Sequence, residues 1–211
     1  MYVTRHTRAG FALLDELWAL YERSYVRTAE RAVTREQLYR SEFETAVTDV
    51  SNRVWVVWAD ERPVAMALIA TDVAATRYLS RAYLEHNFPE RLARGEVHYI
   101  LWTVVDREYA ARGAILRLAK GALALEAQEE ALLIFDSPET NQPNETGGIA
   151  ELALRLGRMV GTAELRPLEV QRYYALDFAG SIADAELSDD EAERAAFADA
   201  SLFGAGARRE G

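Results

Sequence analysis

One stretch limits the folds open to this chain more than any other. Residues 97–121 read VHYILWTVV, then DREYAARGAI, then LRLAKG. Val, Ile, Tyr, Trp and Thr crowd the first nine positions, the composition of a strand. From Ala111 onward the spacing changes, and Ile115, Leu116, Ala119, Leu123 and Ala124 recur at helical intervals. The turn between them carries Arg112 and Gly113 and would open onto a helix N-terminus. Free backbone N–H groups and a partial positive charge gather there, which suits a phosphate. An ordinary strand–helix unit of an α/β fold has the same local pattern, so the surroundings must decide.

The chain before this unit reads as a short strand within Met1–His6 and a helix over Phe11–Tyr25. A second helix is expected from Thr34, where TREQ has the capping-box form, to about Val47. Val54–Trp58 and Val64–Ala70 are apolar runs joined by Asp60–Pro63, the pattern of a hairpin. The stretch 73–95 is long for a loop and suggests helical turns broken at Pro89. Beyond the central unit, Ala131–Phe135 reads as a short buried strand and Ile149–Val160 as a helix ended near Gly161. Val170–Phe178 has strand composition. This order favours one α/β domain with a mixed sheet. The last thirty residues are acidic and Ala-rich, with a terminal helix expected from about Ser188.

Composition excludes several chemistries. There is no cysteine, hence no disulfide framework, thiolate nucleophile or cysteine metal site. A net charge of −10 disfavours nonspecific binding to nucleic-acid phosphates. No signal peptide and no apolar run of about 20 residues is visible, so neither a membrane nor a nucleic acid is expected as a partner, and the expected location is cytoplasmic. His6, His86 and His98 form no metal motif, and no metal site is expected. Ser137 lacks the G-x-S-x-G setting of a hydrolase nucleophile.

The element order and central motif together resemble the GNAT superfamily of N-acetyltransferases. The resemblance covers roughly residues 1–178 and implies a GNAT-like mixed central sheet flanked by helices. The expected division is a GNAT-like acyltransferase domain over 1–180 and an acidic extension over 181–211. The family's acyl-CoA loop, an Arg or Gln followed by two variable residues, Gly, one more and a small residue, is best placed on Ala110-Ala111-Arg112-Gly113-Ala114-Ile115. Gly113 matches its first glycine, Ala110 stands at the initial polar position and Ile115 at the final small one. The resemblance implies that Arg112, Gly113 and Ala114 border the pyrophosphate. It also implies that Val104 and Val105 occupy the strand end beside the pantetheine arm, with backbone N–H near Val104 on the thioester oxygen. The donor implied is acetyl-CoA or a longer acyl-CoA. A weaker likeness to autoinducer synthases and N-acyl amino acid synthases implies an acyl-carrier protein as an alternative donor.

Acyl transfer to an amine requires deprotonation of the amine and stabilisation of the carbonyl oxygen. Glu96 and His98 lie two apart at the start of the central strand and share one face if that strand is regular. Either could serve as base, and the family places a glutamate base in this region. They are equally readable as a solvated strand-entry residue and a structural histidine. Tyr173 and Tyr174 would point to opposite faces of the last strand, leaving one to face a cleft as an acid. Asp136, Ser137 and Asn141 follow a strand end, a position suited to substrate recognition, and Asp136 could hold a cationic amine. The function expected is acyl-CoA-dependent N-acyl transfer to a small amine or amino-acid derivative. The alternatives are a non-catalytic GNAT-like binding or regulatory module and an N-acyltransferase using a carrier-protein thioester. A homodimer is a further candidate assembly.

Overall fold

The computed structural model describes residues 1–7, 9–30, 32, 37–73, 76–138, 148–171, 173 and 175. Contacts divide the chain into two compact units, Met1–Val170 and Gln171–Gly211. In the first unit the strands are β1 (Tyr2–His6), β2 (Asn52–Ala59), β3 (Arg62–Ala70), β4 (Val97–Val105) and β5 (Leu132–Ile134). The helices are α1 (Phe11–Ala29), α2 (Arg40–Thr48), α3 (Arg81–Asn87), α4 (Pro89–Ala93), α5 (Arg107–Ala110), α6 (Ala114–Gln128) and α7 (Ile149–Arg158). One five-stranded sheet runs in the order β1-β2-β3-β4-β5. Its first three pairings are antiparallel and β4–β5 is parallel. This is the GNAT-like mixed α/β arrangement.

Both faces of the sheet are covered, which is why β2 and β3 read as continuous apolar runs rather than alternating ones. On one face α1 sets Leu14, Leu17 and Tyr21 at three- and four-residue spacing against Val54, Val56, Met66, Leu68, Trp102 and Val104. Fully burying each such side chain stabilises the fold by about 1.5–3 kcal/mol. On the other face α6 lays Ala114, Leu118 and Ala122 on Trp55, Val57, Ala65, Ala67 and Ile69. The approach is close enough that a Cβ on Gly121 would stand 3.0 Å from Val3 Cγ1. A third cluster joins Val97, Tyr99 and Ile134 to Val73 and Leu84.

Strand β4 is irregular at one place. Leu68 pairs with Trp102 but Ile69 pairs with Ile100, so Leu101 is an extra residue and β4 bulges there. The hairpin between β2 and β3 turns on Asp60 and Glu61, both left-handed with φ of 49° and 61°.

Two expectations need correction. Helix α2 begins at Arg40 rather than near Thr34, and Tyr39 N–H donates to Glu42 at 2.9 Å as the reciprocal half of a cap three residues apart. The TREQ signal was a turn-compatible sequence with no helix behind it at Gln37 and Leu38, and Thr34 itself lies outside the described residues. Val170, Gln171, Tyr173 and Ala175, the described part of the expected last strand, carry no strand. The terminal helix expected near Ser188 lies outside the described residues.

Candidate functional site

Strand β4 loses its second neighbour halfway along. β5 pairs with it only at Val97, His98 and Tyr99, whereas β3 accompanies it as far as Val105. Among the described residues no strand lies on the other edge of Ile100–Val105. Which backbone groups face that open edge follows from the ladder. Asp106 N–H donates to Val64 C=O at 2.8 Å. Pairs of an antiparallel ladder alternate between hydrogen-bonded and not. Counting back from Asp106, Val104 and Trp102 spend their N–H groups on β3, while Val105 and Thr103 present theirs outward. This corrects one expectation: the Val104 N–H is committed to Met66, its pair partner, and its side chain is buried beside α1. Val105 is the member of the pair with an outward N–H, and Thr103 joins it with an exposed side chain.

The turn after β4 is pinned by Asp106. Its Oδ1 accepts from Glu108 N–H at 3.1 Å, capping α5, and its Oδ2 accepts from Arg23 of α1 at 3.1 and 3.2 Å. The chain then reaches Gly113 at φ 81°, a left-handed position that favours glycine. A Cβ there would meet nothing within 4 Å, so backbone conformation, not crowding, asks for the glycine. The first α-type bond of α6 runs from Arg117 N–H to Gly113 C=O at 3.1 Å. The N–H groups of Ala114, Ile115 and Leu116 therefore have no intrahelical acceptor. The Ile115 side chain packs, partly buried, against the cluster beneath α6. Arg112 adjoins Gly113, with its guanidinium 5.2 Å from the Tyr109 ring centroid. An anion fits this end of α6 through backbone donors that require no particular side chain at Ala110.

The opposite end of the same strand and helix holds the two expected bases, and they do not share one environment. His98 is 3% exposed, with Nδ1 hydrogen-bonded to Glu126. Its Nε2 lies 3.2 Å from Gly95 C=O, which can only accept, so Nε2 carries a proton. Glu126, also 3% exposed, takes Arg53 Nη1 at 2.9 Å, and Arg53 Nη2 reaches Glu129 at 2.7 Å. His98, Glu126 and Glu129 bring potential metal-ligand atoms within 4.8 Å of one another. Arg53 bonds both carboxylates and already supplies the positive charge a cation would bring. Glu96 is held by Arg94 through Nε at 2.6 Å and Nη2 at 2.9 Å. Those hydrogen bonds hold its carboxyl below the usual carboxylate range, making it a weak base. His98 is thus tied to Glu126 of α6, and Glu96 to Arg94 just beyond α4.

Where β4 and β5 part, a different group of side chains meets. Tyr99 is 4% exposed, and its hydroxyl donates to Asp136 Oδ1 at 2.8 Å. Tyr78, 60% exposed, places its ring 6.1 Å from that of Tyr99 at 33°. Ser137 Oγ stays local and donates to Pro138 C=O at 3.4 Å. Tyr173, in the second unit, is 52% exposed. Asn141 and Tyr174 lie outside the described residues. The sequence reading singled out Asp136 but missed Tyr99 and Tyr78. The alternation of β4 puts Tyr99 on the face opposite His98, which was the available signal.

No protein-family model matches the chain, and no curated protein matches it in sequence. Solved structures do. A tetramutant of the BH1408 protein from Bacillus halodurans is 15% identical, with 83% of this chain and 100% of that chain covered at a TM-score of 0.51. An aminoglycoside acetyltransferase from an uncultured soil metagenomic sample, solved with sisomicin, is 14% identical over 83% of this chain and 97% of its own, TM-score 0.48. A ribosomal-protein-alanine N-acetyltransferase from Brucella melitensis biovar Abortus 2308 is 14% identical over 82% and 98%, TM-score 0.44. At 15% identity the likeness to the BH1408 structure is one of fold alone, and the sheet topology is that of a GNAT-like mixed α/β fold.

Proposed function

We propose that this chain is an acyl-CoA-dependent N-acyltransferase acting on a small amine. The observation that carries the reading is the open edge of β4 leading through Asp106 and the left-handed Gly113 to the unpaired N–H groups of α6. One end of that path offers outward N–H groups on Thr103 and Val105, suited to an extended amide-bearing arm. The other offers helix N–H groups and Arg112, suited to a pyrophosphate. A thioester donor brings an activated carbonyl. The residues here hold and orient it, and an outward strand N–H is placed to bond its oxygen as charge develops. Acetyl-CoA and longer acyl-CoAs both suit this path. His98 enters the proposal as a tie between β4 and α6, and Glu96 as the partner of Arg94 at the strand entry, not as bases.

Calorimetric titration with acetyl-, butyryl- and octanoyl-CoA tests the reading. Saturable binding of at least one, competed by free CoA, is the expected result. Binding of none of them overturns it and leaves the non-catalytic module or the carrier-protein donor.

A further inference from the structure

Ion pairs at a protein surface are common and stabilise little. The pair between Arg23 and Asp106 is set apart by where it stands. Its members lie 83 positions apart, one on α1 and one at the residue that follows β4. Arg23 gives both Nε and Nη2 to one oxygen of a carboxylate that is only 19% exposed. Every polar group of Asp106 is in use. Its N–H closes the ladder with Val64, its Oδ1 caps α5 through Glu108 N–H, and its C=O accepts from Tyr109 and Ala110 N–H at 3.0 Å each. The bonding then runs on to the helix end. Arg112 N–H donates to Tyr109 C=O at 3.0 Å, and the Arg112 guanidinium stands over the Tyr109 ring. Gly113 and α6 follow directly.

Helix α5 has four residues, too few to hold its own shape, so its orientation depends on what anchors it. Tyr109, partly buried against the sheet, is one anchor. The Arg23–Asp106 pair is a second, and it refers the turn to α1, which Leu17, Leu20 and Tyr21 seat firmly in the core. We propose that Arg23 is a positioning residue for the acyl-CoA donor: through Asp106 it sets where Arg112 and the N–H groups of α6 stand relative to the open edge of β4. This rests on the acyltransferase reading for its role. Arg23 touches no donor atom in that role and acts only through the turn.

Arg23→Gln removes the charge and is tested in the full chain. Acetyl-CoA affinity by calorimetry is expected to fall about fivefold. The melting temperature should stay within about 2 °C, because an exposed pair adds little to global stability. Arg23→Lys restores the charge and one donor and should fall between wild type and Arg23→Gln. Asp106→Asn keeps the Oδ1 acceptor for Glu108 N–H and should lose as much affinity as Arg23→Gln. The double variant should lose no more than either alone, since both break the same contact. In the ligand-free protein, amide exchange at Glu108 and Ala110 should quicken severalfold in Arg23→Gln while the amides of β2 and β3 hold. Unchanged acetyl-CoA affinity in Arg23→Gln, additive losses in the double variant, or unchanged exchange in the turn overturns the assignment. Quickened exchange in a protein whose wild type binds no acyl-CoA would keep the tie between α1 and the turn and reject the acyltransferase reading instead.

Discussion

The two ends of the β4–α6 unit use polar groups in opposite ways. At the start of β4 and the end of α6, His98, Glu126, Arg53 and Glu129 close a network in which each charge has a partner. At the end of β4 and the start of α6, backbone N–H groups face outward and the left-handed Gly113 leaves open space around its Cα. One end is built from costly ionised side chains and is saturated. The other is built from backbone that any sequence supplies and is left unsaturated. A polar residue in a strand therefore marks a site poorly. An unsatisfied backbone group held open by the fold marks one better, because a buried donor normally has a partner and an exposed one at an open strand edge is available to a ligand.

The contrast can be broken most forcefully at Glu126. Glu126→Ala leaves Arg53 with Glu129 alone and His98 Nδ1 without its partner, and should destabilise the fold by about 3–5 kcal/mol, a fall in Tm on the order of 10 °C by calorimetry. Acyl-CoA affinity of the folded protein should stay near wild type, and a selective loss of affinity would join the two ends that the account separates. Gly113→Val should act in reverse. A β-branched residue at φ 81° costs about 1–3 kcal/mol, and acyl-CoA binding should weaken by about tenfold, roughly 1.4 kcal/mol. Arg112→Gln should weaken acyl-CoA binding about three- to fivefold at low salt, with the difference shrinking as ionic strength rises.

Glu96→Gln should do least, changing the turnover rate by less than about twofold in acyl-transfer assays, since a carboxylate depressed by Arg94 is a poor proton acceptor. Its pH signature has a definite sign. The folded-state pKa lies below the unfolded one, so this pair stabilises the fold above the ordinary glutamate range near about 4.3. That contribution fades as pH falls through the lowered value. Acid unfolding of Glu96→Gln should lack that component, while a bell-shaped rate profile that loses its acidic limb in this variant would return Glu96 to catalysis.

Much of the fold is legible in the chain. The β2–β3 hairpin shows as two apolar runs around Asp60–Pro63, and the paired helices α3 and α4 show through the break at Pro89, because these signals are local. The site is legible only in part. Gly113 and the turn were visible because a left-handed residue before a helix leaves a sequence mark. The outward direction of Thr103 and Val105 was not, since the bulge at Leu101 shifts the register by one and only the pairing with β3 reveals it. His98 resembled a base because its carboxylate partner, Glu126, lies 28 positions away in sequence, whereas the Glu96 partner, Arg94, is local but its bond is not visible in strand spacing. Tyr99 was hidden for the same reason, its partner Asp136 lying on the far side of α6 in sequence.

The account turns on which end of this unit meets the donor, and amide-resolved NMR during an acetyl-CoA titration reads that directly. Perturbations are predicted at Thr103, Val105 and Ala114–Leu116, with His98, Glu126 and Arg53 unmoved. Shifts centred on His98 and Glu126, or none at the start of α6, would contradict it.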